Sequence, residues 1–131
     1  MTTRTATCPC NQLRVTVEGE PVRISVCHCL ECQKRSGSTY AIQARWPASQ
    51  VSIDGHSSTF QRTGDEGTTA TFHFCPTCGA TVYYEVGAMP DMIAVAVGNF
   101  ADPKFPAPKV SVYEDRMHSW VSVPKDAEHW N

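Results

Sequence analysis

Leucine is scarce in this sequence: two among 131 residues, against 13 valines, 13 threonines and four isoleucines. β-Branched side chains lose rotamer freedom in a helix and suit a pleated surface, so the imbalance argues against a helical bundle and for strands. Long apolar runs are missing as well. The longest, Met92-Ile-Ala-Val-Ala-Val97, is far below the roughly 20 residues that span a bilayer. The opening MTTRTATCPC contains no apolar stretch of the kind that directs export. Basic residues are few and scattered, 11 against 13 acidic ones, and Lys34-Arg35 is the one adjacent pair. A nucleic-acid surface needs a basic stripe to offset phosphate charge, and none is present. Also absent are a linker, a low-complexity tract, a Ser-His-Asp set, a phosphate loop and a dinucleotide fingerprint. The expectation is a single domain over residues 1–131, cytoplasmic, with no nucleic-acid or membrane partner and an oligomeric state the sequence leaves open.

The strand signals that remain are short. Leu13, Val15 and Val17 alternate with polar residues up to Gly19, and Val22, Ile24 and Val26 repeat the alternation up to Cys27, which predicts a two-strand meander. Residues 39–46 read as a strand ended by Pro47, and Val51 and Ile53 as a short one closed by Asp54-Gly55. Phe60 and the run Thr69–Phe74 are expected to pair across the turn-rich segment Thr63-Gly-Asp-Glu-Gly67. Ala80–Val86 and Met92–Val97 predict two more strands, the second central. Val110, Val112, Val121 and Val123 are assigned to short terminal strands. Leu30–Ser36 alone reads as helix, stopped by Gly37. The prolines of Asp102–Pro108 dictate an extended loop. Trp46 and Trp120 are expected in the core, and His56 and His129 in solvated loops.

Seven cysteines, an odd number, do not suit a disulfide framework in a chain without an export signal. In Phe74-Cys-Pro-Thr-Cys-Gly79 a Cys-x-x-Cys turn faces both sulfurs to one point, and Gly79 supplies a left-handed backbone. A thioredoxin-like redox pair would instead open a helix after a strand, whereas this motif joins two strands. One such turn offers two metal ligands and a closed zinc site takes four, so Cys75 and Cys78 pair with Cys8 and Cys10. In an extended segment Cys8 and Cys10 would share a side, with Asn11 as the left-handed residue. Cys27, Cys29 and Cys32 remain. Three thiols leave one position of a zinc open. His28, between two same-face cysteines, is expected to point away. His73 shares a strand face with Cys75 and reads as a surface histidine, with a place behind the metal ligands as the other option.

Cys8-Pro-Cys10, then Cys27-His-Cys-Leu-Glu-Cys-Gln-Lys-Arg-Ser-Gly-Ser38, then Phe74-Cys-Pro-Thr-Cys-Gly79 together resemble the glutathione-dependent formaldehyde-activating enzyme family, which includes centromere protein V. Val97-Gly-Asn-Phe-Ala-Asp-Pro103 and Ser119-Trp-Val121 extend the likeness over nearly the whole chain. Asn11 departs from the family's usual glycine. The resemblance implies an all-β, β-tent, Mss4-like fold with a structural zinc on Cys8, Cys10, Cys75 and Cys78. It implies a second zinc and active site on Cys27, Cys29 and Cys32. The implied activity is condensation of glutathione with formaldehyde to S-hydroxymethylglutathione, formally a carbon–sulfur lyase in reverse.

The chemistry of the three-thiol set agrees with that implication. A zinc on three thiolates carries net negative charge and activates water poorly, but it suits a fourth sulfur held as a nucleophilic thiolate. Lys34 and Arg35 follow Cys32, where they offset that charge or bind a glutathione carboxylate; a solvated helix face accounts for them equally well. Two other classes fit the same residues. One is a non-catalytic zinc-stabilised binding module. The other is a thiol reductase of the methionine sulfoxide reductase kind, which needs the triplet free of metal.

Overall fold

Valine- and threonine-rich alternation becomes two sheets. A computed structural model of the chain describes residues 1–64 and 67–131; Asp65 and Glu66, within the turn-rich segment 63–67 of the sequence, lie outside the described residues. The strands are β1 (Thr3–Thr7), β2 (Arg14–Glu18), β3 (Arg23–Cys27), β4 (Ala41–Pro47), β5 (Val51–Asp54), β6 (Ser58–Thr63), β7 (Thr69–Phe74), β8 (Thr81–Val86), β9 (Met92–Ala96), β10 (Val110–Val112) and β11 (Glu128–His129). Helix α1 spans Leu30–Ser36, and Gly37, at φ 66°, ends it by donating its N–H to Gln33 O. The small sheet has the order β1-β2-β5. The large one runs β11-β10-β3-β4-β9-β8-β7-β6. Pairing is antiparallel except at β10, which lies parallel to β3 and to β11. This all-β arrangement is the β-tent, Mss4-like architecture. Among the described residues no helix is long and apolar enough to cross a membrane.

Alternation along each strand gives the large sheet two unlike faces. Ile24, Ala44, Trp46 and Val95 turn to one side and pack with Leu13, Val15 and Val17 of the small sheet in one core. Trp46 is fully buried and its indole N–H donates to Gly19 O at 2.9 Å. Truncating such a side chain to Ala costs about 3–5 kcal/mol. The intervening residues face the other way. Register sets Cys27 opposite Ala41, Ser25 opposite Gln43 opposite Ala96, and Ala94 opposite Tyr84. That second face adjoins α1.

Several expectations need correction. The strands β2 and β3 form no meander, because both edges of β2 are occupied by β1 and β5. Val22 lies just before β3 and is 67% exposed. Strand β1 has no sequence signal beyond Ala6, its one buried residue. Val121 and Val123 lie outside any strand, and β11 takes the terminal place. Trp120 is 71% exposed, its ring edge-on to His118 on a surface run of turns. His129 is in β11, with Nδ1 2.7 Å from a Glu114 carboxylate oxygen. The β6–β7 hairpin, the helix, the place of β9 inside the large sheet and the proline-rich loop agree with expectation.

Candidate metal centres and the adjoining cavity

The first cluster lies where two hairpin ends meet. After β1, Cys8 N donates to Leu13 O and Asn11 N to Cys8 O. After β7, Cys75 N donates to Ala80 O and Gly79 N to Cys75 O. Asn11 at φ 68° and Gly79 at φ 83° supply the left-handed residue in each turn. Cys8-Pro-Cys10 is therefore a turn and not the extended segment anticipated, yet it still directs both sulfurs one way. The four sulfurs lie within 4.8 Å of one another, and Cys10 Sγ is 3.6 Å from both Cys8 Sγ and Cys75 Sγ. A disulfide needs about 2.05 Å. Four sulfurs at about 2.3 Å around a tetrahedral zinc stand about 3.8 Å apart, so the observed spacing fits that ion. Backbone and amide N–H groups surround the set. Leu13 N is 3.3 Å from Cys8 Sγ, and Gln12 Nε2 is 3.0 Å from Cys75 Sγ. Burial opposes ionisation of Cys75, but bonds from Cys78 N, Gln12 and Thr77 N outweigh it and bring the thiol down to about 5.

The second cluster is local. Cys27 ends β3, Cys29 caps α1 and Cys32 lies in its first turn, with all three sulfurs within 4.8 Å. Cys29 Sγ accepts from Cys32 N at 3.3 Å, a sulfur in the role that an N-cap oxygen usually fills. Donation from the Cys27 and Cys32 thiols, then that backbone bond and the field of Arg62, pulls the Cys29 thiol far below its ordinary range. Cys27, as the donor to Cys29, is pushed up. Three sulfurs of which one ionises readily form a donor set for a thiophilic cation such as zinc. His28 is fully buried and directs Nε2 to Ser111 Oγ at 3.0 Å. His73 stacks on Tyr83 and bonds Ser57 and Glu85, apart from both clusters.

Lys34 and Arg35 diverge, as successive helical residues must. The Lys34 side chain is 75% exposed and pairs with Glu31 at 3.6 Å. Arg35 lies over Phe72 and Tyr84, its guanidinium carbon 4.8 and 5.2 Å from the ring centroids. Its Nη2 is 3.8 Å from Cys32 Sγ. Arg35 also lines a cavity of about 620 Å³ with Tyr40, Ala41, Gln43, Cys78 and Tyr84. Ala41 belongs to both the cavity wall and the three-thiol cluster, though no thiol of that cluster lines the cavity. Gln12, Gln43, Arg62 and Tyr84 escaped the sequence reading. They sit on separate elements, and only the turn at Cys8–Leu13 and the sheet register bring them to the clusters.

Two hairpin ends that converge four thiols, with a separate thiol triplet at the start of a short helix, define a β-tent protein with two thiol clusters that could each hold a metal ion. The chain belongs to the glutathione-dependent formaldehyde-activating enzyme family, whose sequence model matches residues 3–116. Its fold is similar to that in the crystal structure of a Rhodobacter sphaeroides protein, with a TM-score of 0.58, 22% identity, and coverage of 97% of this chain and 99% of that one. At that identity the likeness concerns the fold alone. No curated protein matches the sequence significantly.

Proposed function

We propose that the protein is a zinc-dependent carbon–sulfur lyase-type enzyme that joins glutathione, or a related thiol, to formaldehyde, giving S-hydroxymethylglutathione. The observation that carries this reading is the convergence of Cys27, Cys29 and Cys32 within 4.8 Å beside a ligand-sized cavity, in a chain of this family. Zinc held there would stabilise a substrate sulfur as its thiolate at neutral pH. Arg35 offsets the negative charge of the cluster through its contact with Cys32, and the cavity receives the rest of the thiol. In the net reaction one sulfur–carbon bond forms, the carbonyl electron pair moves to oxygen, and that oxygen gains the proton the thiol loses. Cys8, Cys10, Cys75 and Cys78 hold a second, structural zinc. The whole chain acts as one domain in the cytoplasm.

The test compares glutathione with S-methylglutathione on cobalt-substituted protein. The thioether cannot supply an anionic sulfur, whereas the peptide part is unchanged. Glutathione is expected to alter the thiolate charge-transfer absorption and the S-methyl analogue to leave it unaltered. Identical spectra with both, or no response to either, overturn the reading. All seven cysteines lie in the two clusters, so the reductase alternative requires a metal-free triplet. Zinc stoichiometry together with thiol titration on fresh protein decides between them.

A further inference from the structure

Cys27, Cys29 and Cys32 stay together only while the end of β3 and the start of α1 keep a fixed relation. His28 is the one residue between the strand end and the helix cap. Its N–H donates to Val112 O at 3.1 Å and its Nε2 lies 3.0 Å from Ser111 Oγ, which pins it to β10. Its carbonyl is held from the helix side, where Gln33 Nε2 donates to His28 O at 2.8 Å. The same amide nitrogen donates to Arg116 O at 3.2 Å, and Gln33 Oε1 accepts from His118 Nε2 at 2.9 Å. A side-chain amide has two N–H donors and one oxygen, so each of these atoms of Gln33 is engaged. Arg116 and His118 are 83 and 85 positions away in sequence. They belong to the short turn Glu114–Arg116 and the run that follows it. That run is anchored in turn: Glu114 N donates to Trp130 O, Trp130 N to Ser111 O and Val121 N to His118 O, with Val121 buried. His118 lies beyond the residues that the family model matches.

We infer that Gln33 is a positioning residue for the thiol triplet, and that His118, acting through Gln33, sets how firmly Cys27, Cys29 and Cys32 hold a cation. The Gln33 amide acts through His28 O. It clasps the turn between Cys27 and Cys29 to the helix that carries Cys32, and ties both to the C-terminal segment. A helix of seven residues has little stability of its own and keeps its place by tertiary contacts. Without the clasp its first turn shifts against β3, and three sulfurs that must meet one ion take up other spacings. Groups that orient metal ligands change affinity by about 10–100-fold when removed. The assignment rests on the proposed reading of the triplet as an open metal site.

The test reads the two clusters separately, by thiolate-to-cobalt absorption and by the phases of zinc release to a chelator. Cys29→Ser identifies the triplet's fast phase by abolishing it. Gln33→Ala keeps a good helix former and should speed the fast phase about ten-fold, alter the cobalt spectrum and leave the slow phase as in wild type. His118→Ala, at the surface, should speed the fast phase about three-fold, as befits one lost hydrogen bond. His118→Gln keeps an N–H donor near the place of the imidazole Nε2 and should restore the wild-type rate. Gln33→Ala with His118→Ala should release no faster than Gln33→Ala alone, because both act through one amide. If Gln33→Ala fails to fold, His118→Ala and His118→Gln decide by the same criteria. A triplet that takes no cobalt, release of both zincs in one phase, or a fast phase unchanged in the variants overturns the inference. So does a speeding of both phases together, the mark of general loosening, or a His118→Gln rate no slower than that of His118→Ala. If glutathione leaves the wild-type cobalt spectrum unmoved while His118→Ala speeds the fast phase alone, the positioning role stands and the thiol reading fails. If glutathione shifts that spectrum and the variants release as wild type does, the positioning role fails and the thiol reading stands.

Discussion

Gly55 is the position where one methyl group should do most harm to the four-cysteine centre. A Cβ at residue 55 would lie 1.9 Å from Gln12 O and 2.8 Å from Gln12 C, and the backbone there has φ 96°. The overlap falls about 1.5 Å short of an ordinary contact, and it is with main chain, which no rotamer change relieves. Gln12 exchanges bonds with the backbone of His56 at 2.7 and 3.0 Å and reaches Cys75 Sγ at 3.0 Å. Pushing the two turns apart therefore pulls a donor off the Cys75 sulfur. Left-handed strain costs about 1–2 kcal/mol and the overlap about 1–3 more, so Gly55→Ala should destabilise by about 2–5 kcal/mol. At about 2.1 cal/mol/K per residue this lowers Tm by about 7–18 °C. Calorimetry measures the shift, and a chromogenic chelator should withdraw zinc faster from the variant. Gln12→Ala loses three side-chain bonds but creates no clash, so it should cost less, and adding it to Gly55→Ala should not rescue. A Gly55→Ala melt within about 2 °C of wild type, with unchanged zinc release, would refute the reasoning.

Cys75→Ser should unfold or aggregate the protein, because metal-binding free energy in such a domain is folding free energy, whereas Cys29→Ser should leave it folded; equal losses in thermal denaturation would contradict separate structural and open roles. A mild chelator should remove about one zinc well before the second, read as two phases of release, since three ligands hold less firmly than four. The Glu114–His129 pair should grip β11 best between pH 4.5 and 6.5. The His129 imidazole is raised above 6.5, chiefly by its bond to Glu114, so that grip is complete below 6.5 and lost as pH rises through the folded value. For Glu114, burial opposes ionisation but bonds from Ser111 and His129 lower the carboxyl below 4.5, so its share is complete above 4.5 and lost toward acid. Amide exchange at β11 should be slowest in that window, and Glu114→Gln should flatten the profile.

The cysteine arithmetic was legible because ligand spacing is local chemistry: each of the three motifs sits within six residues, two followed by a left-handed turn residue and the third leading into a helix. Strands were legible where large β-branched side chains alternate, as in β2 and β9. They were not where burial is by a methyl, as in β1, whose one buried residue is Ala6. Pairing was the weaker inference. Two alternating runs with a stop at Gly19 between them read as a meander, but strand order depends on which edges remain free after every other strand has paired. Trp120 was misplaced because an indole signals core only when something is there to cover it. The cavity was invisible for a related reason. Arg35, Gln43 and Tyr84 come from three elements, and nothing in their local sequence says that they face one space.

The two thiol clusters differ in how much chain lies between their members. Cys27, Cys29 and Cys32 fall within one strand end and the helix that follows, while Cys10 and Cys75 are 65 positions apart. A chain leaving the ribosome presents the triplet complete, long before Cys75 and Cys78 exist. The long-range centre can close only after β7 has been made and its turn has met the one at Cys8–Leu13, a step burdened by loop-closure entropy and non-local pairing. With metal at both clusters, biogenesis would have one metal event that is fast and local and another that waits for most of the fold. Scarce zinc would delay the second event most, and unfinished chains would accumulate with their first hairpin end still reaching for its partner.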